Sequence, residues 1–346
     1  MRRTDDLRVT DLRPLLPPAI LLEEIPATPA ARRTVTTARA DIARILAGDD
    51  PRLIAVVGPC SVHDPDAARD YGRRLHALAT ELSDDLLVVM RTYFEKPRTV
   101  TGWKGLINDP TLDGRFRVND GLRLARRLLL DLAELGLPPG TEFLDPITPQ
   151  FFADLVAWGA IGARTTESQT HREMASGLSM PIGFKNGTGG SVKMAVDAVR
   201  AAQHPHRFLG VTKQGIAAIV ATSGNPDCHV ILRGGSRGPN HHRTDVDVAA
   251  AMLARQGLPP RVLIDCSHGN SGKDPNKQPA VAAEVAAQVR DGSPAVLGVM
   301  LESFLVPGRQ DLGPDLVYGQ SVTDGCMGLD TTEAVLRDLA AARTRR

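Results

Sequence analysis

Short apolar runs alternate along this chain with longer stretches in which apolar residues recur every three or four positions. From residue 53 onward the short runs are rich in Val, Ile and Leu. The stretches between them are amphipathic, as in 64–82, where Tyr71, Leu75 and Leu78 share one helical face. Buried strands that alternate with amphipathic helices are typical of βα units on a parallel sheet. The pattern therefore predicts an α/β protein.

Eight candidate strands can be counted, and a helical stretch follows each of them. The strands are expected at 53–57, 86–90, 142–144, 160–163, 181–184, 230–232, 262–265 and 295–300. Eight such units fit a (β/α)8 TIM barrel, whose usual size is about 250 residues. An open, doubly wound sheet is the alternative fold.

Two segments do not follow the alternation. Residues 1–50 form an N-terminal arm that ends in one helix, expected over 35–47, and residues 51–346 form the barrel. Two further strands, at 208–211 and 216–222, predict a β-hairpin inserted before strand six, at about 206–222. We expect the arm and the hairpin to serve oligomerisation or regulation.

Composition narrows the function without identifying it. The 346 residues carry 41 Lys+Arg and 40 Asp+Glu, for a net charge of +1, which favours neither nucleic acid nor a membrane as partner. No uncharged apolar run approaches the roughly 18 to 20 residues of a membrane helix. Four cysteines, Cys60, Cys228, Cys266 and Cys326, are scattered and form no CxxC pair. This usage is typical of free thiols in a reducing compartment, so we expect a cytoplasmic protein.

Cations follow four of the eight strands, namely Arg91, Arg164, Lys185 and Arg233. The active site of a barrel lies at the C-terminal ends of its strands, so these side chains should converge. One such residue alone is most simply a solvated loop charge. Four in one pocket would repel one another without anions, which indicates a small ligand that carries several charges, such as phosphate plus carboxylate.

A long loop after strand two adds more polar groups over the same end of the barrel. It contains Lys96, Arg98 and Thr99, which together are candidates for binding a second phosphate.

A mixed set of metal-binding groups follows strands one, seven and eight. Cys60, His268 and Glu302 supply sulfur, nitrogen and oxygen donors, and Asp324 in the next loop supplies a second carboxylate. Such a set suits a first-row divalent metal better than Mg²⁺ or Ca²⁺. A Cys-His nucleophilic hydrolase is the competing interpretation, but it gives no reason for the cations.

Several long motifs resemble those of one family, the type I 3-deoxy-D-arabino-heptulosonate 7-phosphate (DAHP) synthases. They are GPCSVHDP at 58–65, EKPRTVTGWKGLINDP at 95–110, GARTTESQTHREMASGLSMPIGFKNGT at 162–188, HVILRGG at 229–235 and DCSHGNS at 265–271. The resemblance spans roughly residues 35 to 340. It implies a (β/α)8 barrel with an N-terminal extension and an inserted hairpin. It also implies a transferase that condenses phosphoenolpyruvate (PEP) with erythrose 4-phosphate and releases phosphate, as the first step towards chorismate and the aromatic amino acids.

The resemblance assigns roles to residues that match the family's motifs. The implied ligands of a divalent metal, Mn, Fe or Co, are Cys60, His268, Glu302 and Asp324. The implied PEP-binding residues are Arg91, Lys96, Arg164, Lys185 and Arg233, with Glu142 alongside, and the implied erythrose phosphate site is Arg98 and Thr99. As hypotheses, Lys96 and Asp324 carry protons for the alkoxide, and Glu142 positions the attacking water.

An effector site is implied near the hairpin, where members of this family sense aromatic amino acids. The matching residues are Pro149, Gln150, Ser179, Phe208 and Gly210. The strings at 141–146 and 206–211 most resemble the tyrosine-sensitive branch. Gly210 has no side chain, and the space this should leave favours a ring with a para hydroxyl, so we expect feedback inhibition by tyrosine.

The chain departs from the family pattern at 99–103, where TTVGW is usual, at Gly189, where an Asp is usual, and in one loop. RGGSRGPNHH at 233–242 is longer than the usual RGGKxPNY and lacks its Tyr. Two other functions stay open, an octulosonate-phosphate synthase, which joins PEP to a five-carbon sugar phosphate, and a catalytically silent paralogue that acts as a regulatory partner. We expect a homodimer or homotetramer.

Overall fold

Eight parallel strands close into a barrel in the computed structural model, which describes residues 4–98 and 100–344. The barrel strands are β1 (Leu53–Gly58), β2 (Leu86–Arg91), β3 (Pro139–Glu142), β4 (Trp158–Ile161), β5 (Ile182–Lys185), β8 (Cys228–Leu232), β9 (Val262–Asp265) and β10 (Val296–Glu302). Their order around the barrel is β1-β10-β9-β8-β5-β4-β3-β2. The first strand pairs with the last, with Gly58 opposite Glu302. The predicted (β/α)8 barrel is confirmed, and the open sheet is excluded.

Helices cover the outside of the barrel. They are α1 (Pro18–Glu24), α2 (Pro29–Ala47), α3 (Pro65–Glu81), α4 (Val118–Leu135), α5 (Pro149–Phe152), α6 (Gln169–Gly177), α7 (Val192–Ala202), α8 (Arg243–Ala254), α9 (His268–Ser271), α10 (Gln278–Arg290) and α11 (Leu329–Thr344). None of them, over the part of the chain that the structure describes, is long and apolar enough to cross a membrane.

Two strand boundaries differ from the sequence-based expectation. The third strand ends at Glu142 instead of beginning there, and the fourth begins at Trp158, two residues before the expected 160–163. Between them, α5 is a single turn followed by a short 3-10 turn, Ala153–Leu155. Gly140 explains part of the difference, because a Cβ there would lie 3.1 Å from the Trp158 ring. Only glycine fits this close packing. Because glycine has a low strand propensity, the sequence pattern does not indicate a strand there.

The helix of the N-terminal arm closes one end of the barrel. It begins at Pro29, earlier than expected, because the Thr28 hydroxyl accepts a hydrogen bond from Ala31 N and caps it. Its Ile42 and Ile45 are buried against apolar residues of the strands. Arg39 donates to the carbonyl of Val156, just before β4, at 2.7 Å. The helix therefore covers the N-terminal ends of the strands, opposite the end that carries the polar residues.

The inserted hairpin lies where the sequence predicts it. Strands β6 (Arg207–Val211) and β7 (Ala217–Ala221) pair antiparallel between α7 and β8. Leu209 and Ile219 are opposite each other and are both more than three-quarters exposed. A further short pair, β11 (Val306–Arg309) and β12 (Gln320–Ser321), follows β10 and was not predicted.

Candidate active site

A polar cavity of about 370 Å³ lies at the C-terminal ends of the barrel strands. Its lining includes nearly all of the residues singled out from the sequence, namely Cys60, Arg91, Lys96, Arg98, Glu142, Arg164, Lys185, Arg233, His268 and Asp324. Glu302 at the end of β10 is buried and joins this group through Arg91. Thr99 lies outside the described residues. The barrel thus brings together side chains from most of its strands, as expected from their positions after each strand.

Arg91 is buried and held on several sides. Its guanidinium donates to Glu302 Oε1 at 3.0 Å and to the carbonyls of Pro59 and Cys60 at 3.0 and 3.1 Å. It also lies over the Tyr93 ring, with Cζ 3.6 Å from the centroid. Both Arg91 and Glu302 side chains are only 2% exposed. A buried pair of this kind needs such additional hydrogen bonds, which fix the cation in one orientation.

Lys96 lies between two of the candidate metal ligands. Its Nζ is 2.9 Å from Cys60 Sγ and 3.1 Å from Asp324 Oδ2. Burial alone would lower the pKa of Lys96, but the negative charges of Cys60, Glu302 and Asp324 raise it above its ordinary value. Burial also raises the pKa of the Cys60 thiol, and Glu302 raises it further. A cation is therefore required next to Cys60 if its sulfur is to be a thiolate.

His268 is oriented by Asp265, a residue that the sequence analysis did not select. Asp265 Oδ2 lies 2.9 Å from His268 Nδ1 and 3.2 Å from Lys185 Nζ. Burial would raise the pKa of Asp265, but His268 and Lys185 lower it well below its usual range. Nδ1 also lies 2.6 Å from Ser267 Oγ, whose hydroxyl hydrogen donates to Asp265 Oδ1 at 2.6 Å, so Nδ1 carries a proton. Nε2 faces Glu302 Oε1 at 3.7 Å and is the nitrogen available to a metal ion. His268 also has a left-handed backbone, with φ of 52°.

These donors fit a metal ion. Ligand atoms of Cys60, Glu302 and Asp324 lie within 4.8 Å of one another, and His268 presents Nε2 next to Glu302. One sulfur, one imidazole nitrogen and two carboxylates suit a first-row divalent ion. The position of Lys96 between Cys60 and Asp324 agrees with this, because its ammonium supplies positive charge to the same atoms.

The remaining cations come from loops that are tied to each other. Arg164 donates to the Pro97 carbonyl at 3.0 Å, and Arg98 donates to the Trp103 carbonyl at 2.8 Å. Arg233 is positioned through its backbone, since its N–H donates to Asn186 Oδ1 at 2.8 Å. These contacts place the loop after β2 over the same cavity as the strand ends.

Glu142 reaches the cavity because its neighbour has no side chain. A Cβ on Gly162 would lie 2.4 Å from Glu142 Oε1. Glycine at 162 therefore leaves room for the carboxylate, and any larger residue would displace it.

Glu95 is a second buried carboxyl that the sequence analysis did not single out. Its Oε1 accepts from Asp145 N at 3.3 Å, and its Oε2 lies 3.1 Å from Thr148 Oγ1. Burial, reinforced by the charge of Asp145, raises the pKa of Glu95 to about 8. Thr148 also lies 2.9 Å from the Asp145 carbonyl, to which its only hydroxyl hydrogen donates. A protonated Glu95 can then donate to Thr148, so geometry and burial agree on the neutral form.

A second cavity, of about 420 Å³, lies between the hairpin and helices α5 and α6. It is lined by all five expected effector residues, Pro149, Gln150, Ser179, Phe208 and Gly210. The space expected beside Gly210 is occupied, however. A Cβ there would lie 2.7 Å from Val220 Cγ2, because the paired strand fills the gap. Gly210 is thus required by packing within the hairpin, and the reason given for tyrosine over phenylalanine is wrong.

A family model described as the DAHP synthetase I family matches residues 25–337. The chain belongs to this family. A solved structure of phospho-2-dehydro-3-deoxyheptonate aldolase from Francisella tularensis SCHU S4 is 52% identical and superposes with a TM-score of 0.96, over 98% of this chain and 99% of that one. The chain is therefore an enzyme of the DAHP synthase class with that fold.

Relatives in the DAHP synthetase I family differ in the effector that their names state. The phenylalanine-sensitive aldolase of Escherichia coli (strain K12) is 57% identical over 99% of both chains. The tyrosine-sensitive aldolase of the same strain is 52% identical over 97% of this chain and 95% of that protein. Such similar values do not decide the effector, so the expectation of tyrosine stays a prediction.

Proposed function

We propose that this enzyme condenses PEP with erythrose 4-phosphate and water to give DAHP and phosphate, and that the reaction requires a divalent metal. The observation that carries the proposal is the convergence of seven Lys and Arg side chains on one cavity with a Cys, His and carboxylate donor set. A phosphate and a carboxylate on one substrate, and a phosphate on the other, would neutralise them. The names of the relatives agree with the product. We place the reaction at the first step towards chorismate.

The cations divide between the two substrates. Lys185, at the end of β5, and Arg233, directly after β8, bind PEP together with Arg91 and Arg164. Arg98 and Thr99, on the loop after β2, bind the phosphate of the aldose. Holding both substrates by their charged groups brings C3 of PEP against the aldehyde carbon and converts an encounter of two molecules into one oriented step.

Cys60, His268, Glu302 and Asp324 would hold the metal. When bound, the ion supplies Lewis acidity towards the aldehyde oxygen. Lys96 then has a role of its own, because its ammonium lies beside Cys60 and Asp324 and can give a proton to the alkoxide, which is a stronger base than a lysine amine. Glu142 lines the same cavity as Arg164, and we assign to it the orientation of the water that attacks C2. Asp324 accepts the hydrogen bond of Lys96 and is the second candidate proton carrier.

Phosphate release tests the proposal directly. The purified enzyme is assayed with PEP plus erythrose 4-phosphate, with PEP plus arabinose 5-phosphate, and with each substrate alone, before and after removal of metal. We expect release only with PEP and the four-carbon sugar, loss after chelation, and recovery with Mn²⁺, Fe²⁺ or Co²⁺. Preference for the five-carbon sugar would favour the octulosonate-phosphate reaction, and no release with either sugar would favour a silent paralogue.

We also propose that an aromatic amino acid inhibits the enzyme from the cavity beside the hairpin. The support is the position of Pro149, Gln150, Ser179 and Phe208 around one cavity that shares no lining residue with the substrate cavity. Inhibition from there requires coupling between two conformations. Titration with phenylalanine, tyrosine and tryptophan in the phosphate assay identifies the effector, and we predict tyrosine.

Assembly is proposed from the exposed apolar residues of the hairpin and the arm. Leu209 and Ile219 on the hairpin, and Leu12 on the arm, are each more than three-quarters exposed. A monomer rarely leaves such residues open in groups, so we propose a homodimer or homotetramer that covers them. Light scattering after size-exclusion chromatography measures the mass, and a monomer at micromolar concentration would contradict this proposal.

A further inference from the structure

The loop that departs from the family pattern ends in two adjacent histidines, His241 and His242, directly before α8. Opposite them lies Glu284 on α10. His241 Nε2 is 3.1 Å from Glu284 Oε2, and His242 Nδ1 is 2.6 Å from Glu284 Oε1. The two imidazole rings lie 4.3 Å apart, centroid to centroid. This cluster is on the outside of the barrel and shares no residue with the substrate cavity.

The donor set is one that metal ions use. One nitrogen from each ring and one carboxylate oxygen lie within 4.8 Å of one another. A zinc-type ion with ligands about 2.0 to 2.1 Å away places neighbouring donors roughly 3.3 Å apart, close to the distances seen here. Two imidazoles favour a first-row transition ion over Mg²⁺ or Ca²⁺, which prefer oxygen. His242 and Glu284 are partly exposed, which leaves a fourth position open to water.

The more buried ligand is fixed before any ion arrives. His241 is 5% exposed, and its carbonyl accepts a hydrogen bond from Gln288 Nε2 at 2.8 Å. Its neighbour Asn240 donates from its backbone to Asn270 Oδ1, also at 2.8 Å. Because its backbone is held from two directions, the His241 ring is oriented towards Glu284, and little conformational entropy would be lost on binding.

We propose that His241, His242 and Glu284 form a second metal site, for Zn²⁺ or a similar first-row divalent ion, separate from the Cys60 cluster. The ion would tie the end of the 233–242 loop to α10. The same loop begins with Arg233, and Asn240 Oδ1 accepts from Gly234 N at 2.7 Å. The site therefore anchors a loop that carries a substrate-binding cation without touching the substrate.

Metal binding by untagged, metal-stripped protein tests the proposal. Zn²⁺ is titrated against a chromophoric chelator, and Co²⁺ is used as a spectroscopic probe, since a thiolate ligand gives a charge-transfer band and the His241 cluster contains no thiolate. We expect two equivalents in the wild type. Cys60→Ala should lose the thiolate band and keep the other equivalent. His242→Ala and Glu284→Gln should keep the band, while the second equivalent weakens at least tenfold.

The control is His204→Ala, which removes an exposed histidine elsewhere on the surface. It should bind as the wild type does. Circular dichroism checks that each variant is folded, and two substitutions at partly exposed positions keep the test valid if one of them fails to fold. Unchanged affinity and stoichiometry in folded His242→Ala or Glu284→Gln would overturn the proposal, and would mean that Glu284 only accepts hydrogen bonds from the two rings.

Thermal unfolding gives a readout that is independent of activity. In the Cys60→Ala background, Zn²⁺ should raise the unfolding midpoint, because an ion that binds only the folded state stabilises it. Adding His242→Ala to that background should remove the rise. An equal rise with and without His242 would contradict binding at this cluster, whatever the outcome for the substrate cavity.

Discussion

The substrate cavity and the cavity beside the hairpin are similar in volume but opposite in character. The first is surrounded by charged side chains that are paired with one another, such as Arg91 with Glu302 and Lys96 with Asp324. The described residues that line the second are all uncharged. We expect the first to recognise its ligands by charge, and the second by shape and by neutral hydrogen bonds. Substitutions in the two cavities should therefore have effects that differ in kind as well as in size.

The largest effect is expected at Cys60. Cys60→Ala should lower kcat/KM for condensation by about a thousand-fold or more, because it removes a metal ligand and with it several kcal/mol of transition-state stabilisation, at about 1.4 kcal/mol per tenfold. The phosphate-release assay measures it. Cys228→Ala, which removes a buried thiol away from the cavity, is the matched control and should keep activity. Full activity of Cys60→Ala, or of a wild type shown to be metal-free, would refute the metal role.

The next effect distinguishes the two substrates within the charged cavity. Arg233→Ala should raise KM for PEP far more than KM for erythrose 4-phosphate, and Arg98→Ala should do the reverse. Each loses a charge-assisted hydrogen bond worth about 1.5 to 3 kcal/mol, which is roughly 10- to 100-fold. Arg237→Ala lies in the same loop as Arg233 but outside the cavity lining, and it serves as the control. Equal losses for both substrates in both variants would contradict the assignment.

Glu95 joins the two regions, because it lines the substrate cavity and forms a hydrogen bond with Thr148, next to Pro149 of the second cavity. Its pKa of about 8 in the folded protein exceeds the ordinary 4.5. Between these values the folded state holds a proton that the unfolded state has lost, so stability falls as pH rises, by about 1.4 kcal/mol per pH unit. Glu95→Gln should remove this contribution.

Urea unfolding of wild type and Glu95→Gln at several values from about pH 5 to pH 8 measures the Glu95 contribution. The variant should gain stability relative to the wild type as pH rises. Glu134→Gln, on the exposed surface of α4, is the control. A difference between wild type and Glu95→Gln that stays constant over this range would show that Glu95 is ionised in the folded protein.

The smallest effect is expected in the uncharged cavity. Gly210→Ala places a methyl group 2.7 Å from Val220 Cγ2, so the two strands must shift and change the cavity wall. We expect the half-inhibitory concentration of the effector to rise several-fold while kcat and both KM values are unchanged. Ala217→Ser, exposed on the same hairpin, should leave inhibition as it is. Unchanged inhibition in Gly210→Ala would place the effector elsewhere.

The contrast between the two cavities also explains which site residues could be predicted from the sequence. Residues that end a strand have one possible place in a closed barrel, so Arg91, Lys185 and Glu302 could be assigned to one site from strand positions alone. Asp265 was missed although the strand pattern holds the signal. Leu263 packs inside the barrel. Because side chains alternate along a strand, the side chain of Asp265, two residues later, lies on the same side.

Other features depend on packing between distant segments and leave little trace in the local sequence. Val220 fills the space beside Gly210 only because β6 and β7 pair in one register. The burial of Glu95 depends on Thr148, more than fifty residues further along the chain. The third strand was misplaced because Pro139 and Gly140 have low strand propensity, and its position is decided by neighbours such as Trp158.

The pairing of the first barrel strand with the last has a consequence for how the chain is made. Arg91 is synthesised long before Glu302, which is its carboxylate partner across the seam where Gly58 lies opposite Glu302. A growing or truncated chain that lacks β10 therefore carries this guanidinium without its counter-charge. The unpaired charge must then stay in contact with water. Closure of the seam balances the charge, so the ion pair of the proposed active site forms only in a chain that has been made as far as its last barrel strand.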